Sequence, residues 1–170
     1  LPAIMALVSL TITYWGKPLT NDVTTNTDQP PKFLQRMGDL NTPYTDEQKQ
    51  TLLELYPDLN SRNFAWPCFR VFEETLKILR QNPKVKIVKQ SENPYVIQYT
   101  QTTPVLKFTD DIVIGLTQNS IEPQCLLDVR SRSRVGRSDL DANYNRIHNL
   151  FRLLDKALSK ADPMKPATDL

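Results

Sequence analysis

The sequence is poor in the residues from which many ligand and metal sites are built. Only 4 of the 170 residues are glycine, which argues against a glycine-rich phosphate-binding loop. With 2 cysteines and 1 histidine, the chain cannot supply the roughly four nitrogen or sulfur ligands of a zinc site. The formal net charge is +2, so no global field attracts nucleic acid. We therefore expect no metal, no cofactor and no nucleic-acid partner.

The scarce cysteine and histidine residues leave few catalytic options. Cys68 and Cys125 can form one disulfide in an oxidising compartment, or can serve as two small buried side chains. His148 lies within a helical pattern, far from any Gly-x-Ser-x-Gly turn, which disfavours a Ser-His-Asp triad. An enzyme is therefore the least favoured class of function.

The first sixteen residues, LPAIMALVSLTITYWG, carry no charge and end in Tyr14-Trp15, just before Lys17. A membrane-spanning helix needs about 20 apolar residues, and the chain opens at Leu1 rather than at Met. An aromatic pair beside a lysine is typical of the membrane interface. We expect residues 1–16 to be the C-terminal part of a transmembrane anchor, with a secretory segment or a buried helix as alternatives.

The following segment, residues 17–63, is rich in Thr, Asn, Asp and Pro and shows no sustained period. It is predicted to be an extended arm. One short helix is expected within it, capped by Thr45 and ended by Tyr56-Pro57. Because such an arm is not expected to be stable alone, we expect it to lie along a partner or across the sheet of its own domain.

Residues 64–160 show regular periodicity, and residues 161–170 form a polar tail. A helix is predicted from Pro67 to Asn82-Pro83, with Phe69, Phe72, Leu76 and Leu79 on its buried face. Alternating runs predict strands at 84–90, 95–101, 104–116 and 123–135.

A second helix is predicted at 139–160, begun by a capping box of Ser138 and Asp141. The element order of this half is α-β-β-β-β-α. It favours an α+β fold in which a four-stranded antiparallel sheet packs against two helices, preceded by the arm and the membrane segment.

The last predicted strand contains an arginine row. With a period of two, Arg130, Arg132 and Arg134 face one side of the sheet, and Ser131 and Ser133 face the other. The row leads into a helix start, where free N–H groups favour anions.

Two aspartates of the preceding strand are candidate partners for these arginines. Alternation places Asp110 with the core-facing residues and Asp111 on the opposite face. A structural salt-bridge network is the favoured interpretation. An anion-binding or partner-docking surface is the second, and a catalytic carboxylate pair is the third, disfavoured because the two side chains point apart.

Four segments, in this order, resemble a family of bacteria and chloroplasts catalogued as domain of unknown function 1499. They are DVTTNTDQPPKF (22–33), YPDL (56–59), FTDDIVI (108–114) and DVRSRSRVGRSDLDANYNRI (128–147). The resemblance covers about residues 22–155. Two positions depart from the family pattern: Asn26 replaces an aspartate, and Asp141 replaces a glycine.

The resemblance selects two groups of residues. In the arm they are Asp22, Thr24, Thr25, Asp28, Pro30, Pro31 and Phe33. In the candidate anion-binding or structural network they are Asp110, Asp111, Arg130, Ser131, Ser133, Arg134, Ser138, Asp139, Asn143 and Arg146. Arg132 lies at a variable position, which implies that it is the solvated member of the row.

The resemblance implies a membrane-anchored or exported protein without an assigned reaction. The sequence therefore favours an accessory or structural protein that docks to a protein partner, within a larger membrane complex. The soluble part is expected in the periplasm, anchored to the bacterial inner membrane, or in the thylakoid equivalent. A binding module for an anionic small molecule or lipid headgroup is the first alternative, and a carboxylate-dependent hydrolase the second.

Overall fold

Six strands and three helices make up the part of the chain that the computed structural model describes, residues 20–34, 40–103, 107–118, 124–136 and 141–159. The predicted hairpins are present. Strands β3 (Val85–Glu92) and β4 (Tyr95–Thr102) are joined at the cis peptide bond of Asn93-Pro94. Strands β5 (Thr109–Gln118) and β6 (Cys125–Ser133) follow, and every neighbouring pair is antiparallel. The chain is therefore an α+β protein with an antiparallel sheet.

The sheet is larger than the four strands that the sequence predicted. The arm contributes β1 (Asp22–Thr24) and β2 (Arg62–Phe64), and both pair with β6. The strand order is β1-β6-β5-β4-β3, with β2 on the same edge as β1. A three-residue strand is too short to show a recognisable period of two, so the prediction of four strands is wrong.

Helix α1 (Asp46–Leu55) begins and ends as predicted. The Thr45 side chain accepts from the Gln48 N–H, and the Gln48 side chain accepts from the Thr45 N–H, which forms a capping box. Helix α2 (Cys68–Arg80) starts one residue later than predicted, because Pro67 is extended and precedes the first turn as its N-cap. Its buried face differs at one position, because Cys68 is fully buried whereas Phe69 is 50% exposed.

Helix α3 (Ala142–Leu158) starts later than the sequence predicted. Asp141 precedes the helix and has a left-handed φ of 66°. A residue in that conformation cannot be part of a right-handed helical turn, so the predicted role of Asp141 inside the capping box is wrong. The other residue of that box, Ser138, lies outside the described residues.

The sheet is covered on both faces. Helices α2 and α3 pack on one face, where the core contains Val71, Phe72, Leu76, Ile147, Phe151 and Leu154. The arm crosses the other face, and Pro31 passes over Gly115 so closely that a Cβ at Gly115 would lie 3.6 Å from the proline. Of the two expected courses for the arm, the structure has the one across its own sheet.

A covalent link joins the helical layer to the sheet. The sulfur atoms of Cys68 and Cys125 are bonded at 1.97 Å, which connects the start of α2 to the start of β6. None of the helices in the described ranges combines the length and the apolar composition that crossing a membrane requires. The predicted anchor at 1–16 and the tail at 161–170 lie outside those ranges.

Candidate functional site

The arginine row of β6 occupies the face that the arm crosses. Alternation along the strand directs Arg130 towards Asp22 of the arm, whereas Ser131 and Ser133 contact Asn143 of α3 on the opposite face. The strand thus presents cations to one layer and hydroxyls to the other, as its period of two predicts.

Arg130 is the most deeply buried member of the row. Only 2% of its side chain is exposed, and its Nε and Nη2 donate to the two carboxylate oxygens of Asp22 at 3.0 and 2.7 Å. Nη2 also donates to the Thr42 carbonyl. The rings of Phe33 and Tyr44 lie 5.9 and 4.7 Å from the guanidinium carbon. Burial on its own would lower the pKa of Arg130. The hydrogen bond and the negative charge of Asp22 outweigh this effect, so the pKa is raised overall and Arg130 stays protonated.

Tyr44 completes this buried group. Its hydroxyl donates to Asp22 Oδ1 at 2.5 Å. Burial and the neighbouring Asp22 carboxylate raise the pKa of Tyr44 far above its ordinary value, so the phenol stays protonated. The Asp22 carboxylate therefore accepts three hydrogen bonds, two of them from the Arg130 guanidinium. These bonds hold the arm on the sheet.

Arg134 makes a second bidentate pair on the same face. Its Nε and Nη2 donate to Asp111 at 2.7 and 2.9 Å, and this hydrogen bonding raises the pKa of Arg134. The side chain of Arg134 is 37% exposed, against 29% for Arg132, whose Nε lies 3.9 Å from Asp22. The expectation that Arg132 is the most solvated of the three arginines is therefore wrong.

Asp110 forms the corresponding pair on the helix face. It accepts from Arg146 Nη2 at 2.5 Å, and both side chains are under 10% exposed. Arg146 Nη1 donates to Ser131 Oγ at 2.8 Å and to the side-chain oxygen of Asn143. Asn143 in turn donates to Ser133 Oγ at 3.0 Å. This network attaches α3 to β5 and β6.

Threonines of the arm attach it to β6 at a further point. Thr24 Oγ1 donates to the Val129 carbonyl at 3.0 Å, and the Thr25 N–H donates to the same oxygen. Thr25 Oγ1 donates to Asp128 at 2.8 Å. Asp28 pairs with Lys49 of α1 at 2.6 Å. Pro30 is half-buried, and Phe33 is buried.

The sequence profile of a family described as "Protein of unknown function (DUF1499)" matches residues 22–154. The match begins at Asp22, the arm residue that pairs with Arg130, and ends within α3. The chain belongs to this family. No curated protein is similar enough to the chain to count as a match.

This DUF1499 chain also has a surface cluster that its sequence did not predict. The rings of Tyr56 and Tyr144 stack at a centroid distance of 4.5 Å, and His148 packs against Tyr144 at 4.6 Å. Asp58 accepts from the Tyr144 hydroxyl at 2.9 Å and lies 3.0 Å from His148 Nε2. The hydrogen bond from Tyr144 lowers the pKa of Asp58.

Two signals for this cluster were present in the sequence. Tyr144 and His148 are four residues apart, which places them on one face of a helix. Tyr56 and Asp58 belong to a segment that the family resemblance had already selected. The Tyr56 hydroxyl also donates to Asp141 at 2.7 Å. Neither signal reveals this contact, because it joins residues that are distant in the sequence.

A groove runs between α1 and the arm of the DUF1499 chain. Its volume is about 340 Å³, and its walls include Thr24, Leu52, Tyr56 and Leu59. Leu53 also lines the groove and is 62% exposed. The groove is thus partly apolar and open to solvent.

The described residues contain no group of three or more His, Cys, Asp or Glu side chains that could hold a metal ion. Two members of the predicted network, Ser138 and Asp139, lie outside the described ranges. The other eight network residues, Asp110, Asp111, Arg130, Ser131, Ser133, Arg134, Asn143 and Arg146, are divided between the two faces of the sheet. They do not converge on one ligand site.

Proposed function

We propose that this protein is a membrane-anchored accessory module that docks to a protein partner, as a structural subunit of a membrane complex. The observation that carries the proposal is the open groove beside α1, with Leu53 62% exposed at its wall. If a partner side chain entered the groove, Leu53 and the apolar part of the wall would be buried together, as in the apolar core of a protein interface.

Rigidity of the groove supports the same function. One wall is the arm, which Asp22, Thr24 and Thr25 fasten to β6. The other wall is α1, which Lys49 links to Asp28 of the arm. A surface that is ordered before binding loses little conformational entropy when a partner arrives.

The disulfide supports the proposed location. Bonded cysteines persist in oxidising compartments such as the periplasm, and the Cys68–Cys125 bond fits an anchored protein whose soluble part lies there or in the thylakoid equivalent. The charge-free residues 1–16 are the proposed anchor.

The two alternatives receive less support from the geometry. An anion at Arg130 or Arg134 would have to displace the carboxylate that each guanidinium already binds in bidentate geometry. A hydrolase using Asp110 or Asp111 would need a carboxylate open to substrate, whereas these residues are 2% and 1% exposed. Both groups serve better as internal structural pairs.

Purification of the full chain from membranes in mild detergent tests the proposal. We expect a stoichiometric protein partner, and we expect Leu53→Asp to release it because a charge would then occupy the groove wall. Phe69→Asp is the matched control, since Phe69 is a 50% exposed apolar residue on α2 that does not line the groove. Isolation of the unaltered chain as a monomer contradicts docking, and equal retention of the partner by both variants contradicts the assignment of the groove.

A further inference from the structure

The arm enters the described structure at one particular end of the sheet. The side-chain amide of Asn21 donates to the Gly136 carbonyl at 2.6 Å. The backbone carbonyl of Asn21 accepts from the Ser133 N–H at 2.8 Å. Thr20 therefore lies beside the last residues of β6. We call this the basal end of the sheet.

The covalent chain ties the basal end to the charge-free segment. Only residues 17–19 separate Gly16 from Thr20. Four Cα steps span at most about 14 Å even when fully extended. If residues 1–16 are held in a membrane, the basal end is therefore confined to the membrane surface.

The basal end carries exposed cations and apolar side chains. We define the basal surface by the exposed residues Lys84, Lys86, Lys107, Phe108, Arg134 and Val135. Hydrogen bonds bring their segments together across the strand ends: Thr102 N–H to the Lys84 carbonyl, Thr103 N–H to the Phe108 carbonyl, and Arg134 N–H to the Thr109 carbonyl. Because β3 to β6 are adjacent at about 4.8 Å spacing, the surface is about 15 Å wide.

The charges of the basal surface are of one sign. Lys84, Lys86 and Lys107 line a depression of about 300 Å³, and the described residues around it include no carboxylate. Asp111, the partner of Arg134, is only 2% exposed at its side chain. The other end of the same strands carries Glu92, Gln118 and Gln124 instead. The lysines and Arg134 thus lie at the end of the sheet where the chain leads to residues 1–16, and the carboxylates beside Thr20 are those of Asp22 and Glu47.

Two of the large apolar side chains that the described ranges expose lie among these cations. Val135 is 55% exposed and Phe108 is 40% exposed. Phe108 follows Lys107 and Val135 follows Arg134. Apolar side chains beside cationic ones suit the boundary between lipid headgroups and acyl chains, where the apolar part is buried and the charged groups meet phosphate.

We propose that the basal surface lies on an anionic lipid bilayer, with its three lysines on lipid phosphates and with Phe108 and Val135 inserted at the headgroup boundary. The inference rests on the proposed function in one respect, since the anchor supplies the short tether. It fixes the orientation of the module: β3 to β6 rise from the membrane, and Glu92 lies far from it. A bilayer is favoured over a protein at this surface because the tether leaves little room for a folded partner between them.

Site-directed labelling of the full chain tests this orientation. Both native cysteines are bonded to each other, so Val135→Cys introduces one free thiol for an environment-sensitive label. In vesicles of phosphatidylcholine and phosphatidylglycerol we expect this label to be shielded from a water-soluble quencher. The matched control is Glu92→Cys, at the other strand end, whose label should be as accessible in vesicles as in detergent.

Charge variants separate the cations from the tether. Each lysine close to an anionic leaflet contributes about fivefold in binding, so Lys84→Gln, Lys86→Gln and Lys107→Gln together weaken contact by about 100-fold. We expect the triple variant, or high salt, to expose the label at position 135. Lys32→Gln, Arg152→Gln and Lys156→Gln remove the same charge from exposed positions of the arm and α3 and should leave the shielding unchanged.

The possible outcomes distinguish the inference from the proposed anchor. If the labels at positions 135 and 92 are equally accessible in anionic vesicles, the proposed membrane contact of the basal surface is wrong. It is also wrong if the label at position 135 is shielded by a bound protein in the absence of lipid. Flotation of the chain with neutral phosphatidylcholine vesicles reports the anchor alone. If the chain floats only with anionic vesicles and only with its lysines intact, the basal surface stands and the anchor does not.

Discussion

Asp110 and Asp111 are neighbours in the chain, yet each binds a different arginine on a different face of the sheet. The two pairs differ in their access to water. Arg146 is 8% exposed at its side chain, whereas Arg134 is 37% exposed. Removing a carboxylate is therefore expected to leave a buried cation in one case and a hydrated cation in the other.

Asparagine substitutions at these two positions test that difference. We predict that Asp110→Asn lowers the free energy of unfolding by about 3–5 kcal/mol, because Arg146 then remains buried without its counterion. Asp111→Asn should cost only about 1–2 kcal/mol, since Arg134 can turn to solvent. Urea denaturation of both variants measures the ranking, and equal losses would show that exposure of the arginine does not set the cost.

The pKa of Asp58 gives a prediction for acid. Its pKa is lowered in the folded state, chiefly by the hydrogen bond from Tyr144. A lowered pKa means that the carboxylate stabilises the fold above its unfolded pKa near 4, and that this stabilisation is lost as the pH falls through the folded value. Asp58→Asn should therefore be less stable than the unaltered chain at neutral pH, and the difference should vanish in acid. A difference that grows below pH 4 would contradict the sign.

Local alternation explains which of these residues the sequence could place. It put Asp110 and Asp111 on opposite faces, because a period of two requires only adjacent residues to be known. It could not find the partner of Arg130, since Asp22 lies 108 residues away in a segment without periodicity. Contacts of that separation depend on the complete topology of the sheet.

Helix α3 shows how a local signal can fail at the scale of an element. Ser138 and Asp141 have the spacing of a capping box, but Asp141 adopts a left-handed conformation before the helix begins. That conformation would suit glycine, which adopts a positive φ without steric cost. The hydroxyl of Tyr56, which donates to Asp141, comes from a distant turn that the spacing does not reveal.

Glycine and alanine at position 141 distinguish the two descriptions of the helix start. Both substitutions remove the acceptor of the Tyr56 hydrogen bond, and they differ only in backbone preference. With φ at 66°, we predict that Asp141→Gly is more stable than Asp141→Ala by about 1 kcal/mol. Inside a helix the order would be reversed by a similar amount. Thermal denaturation of the two variants gives the sign, and a more stable alanine variant would place position 141 in the helix.

At the scale of the whole molecule, one disulfide and the ion pairs on both faces of the sheet hold the described chain together. The sequence alone divides the same chain into an arm and a domain. The Cys68–Cys125 bond spans 57 residues. Loop-closure entropy for that separation predicts a loss of about 4 kcal/mol when both cysteines are replaced by alanine. Urea denaturation measures it, with the reduced unaltered chain as a control that should match the variant. An unchanged midpoint would show that the bond adds no stability.

The fold class was predictable from the periodic half of the chain, because four strands and two helices there are long enough to show their periods. The strands of the arm were not predictable, because β1 and β2 have three residues each and depend on β6 for their hydrogen bonds. Helical spacing also predicts, wrongly, that Phe69 is buried in the core. Helical spacing cannot show that the neighbouring Cys68 is bonded to the sheet and occupies the buried position.

The arginine row is a structural joint, in which Arg130 and Asp22 hold the arm on the sheet. A double-mutant cycle with Asp22→Asn and Arg130→Met measures this directly as a coupling energy from urea denaturation. For a pair that is 2% and 13% exposed at its side chains, we predict a coupling of about 2–3 kcal/mol. A coupling near zero, with each single variant folded and stable, would contradict the claim.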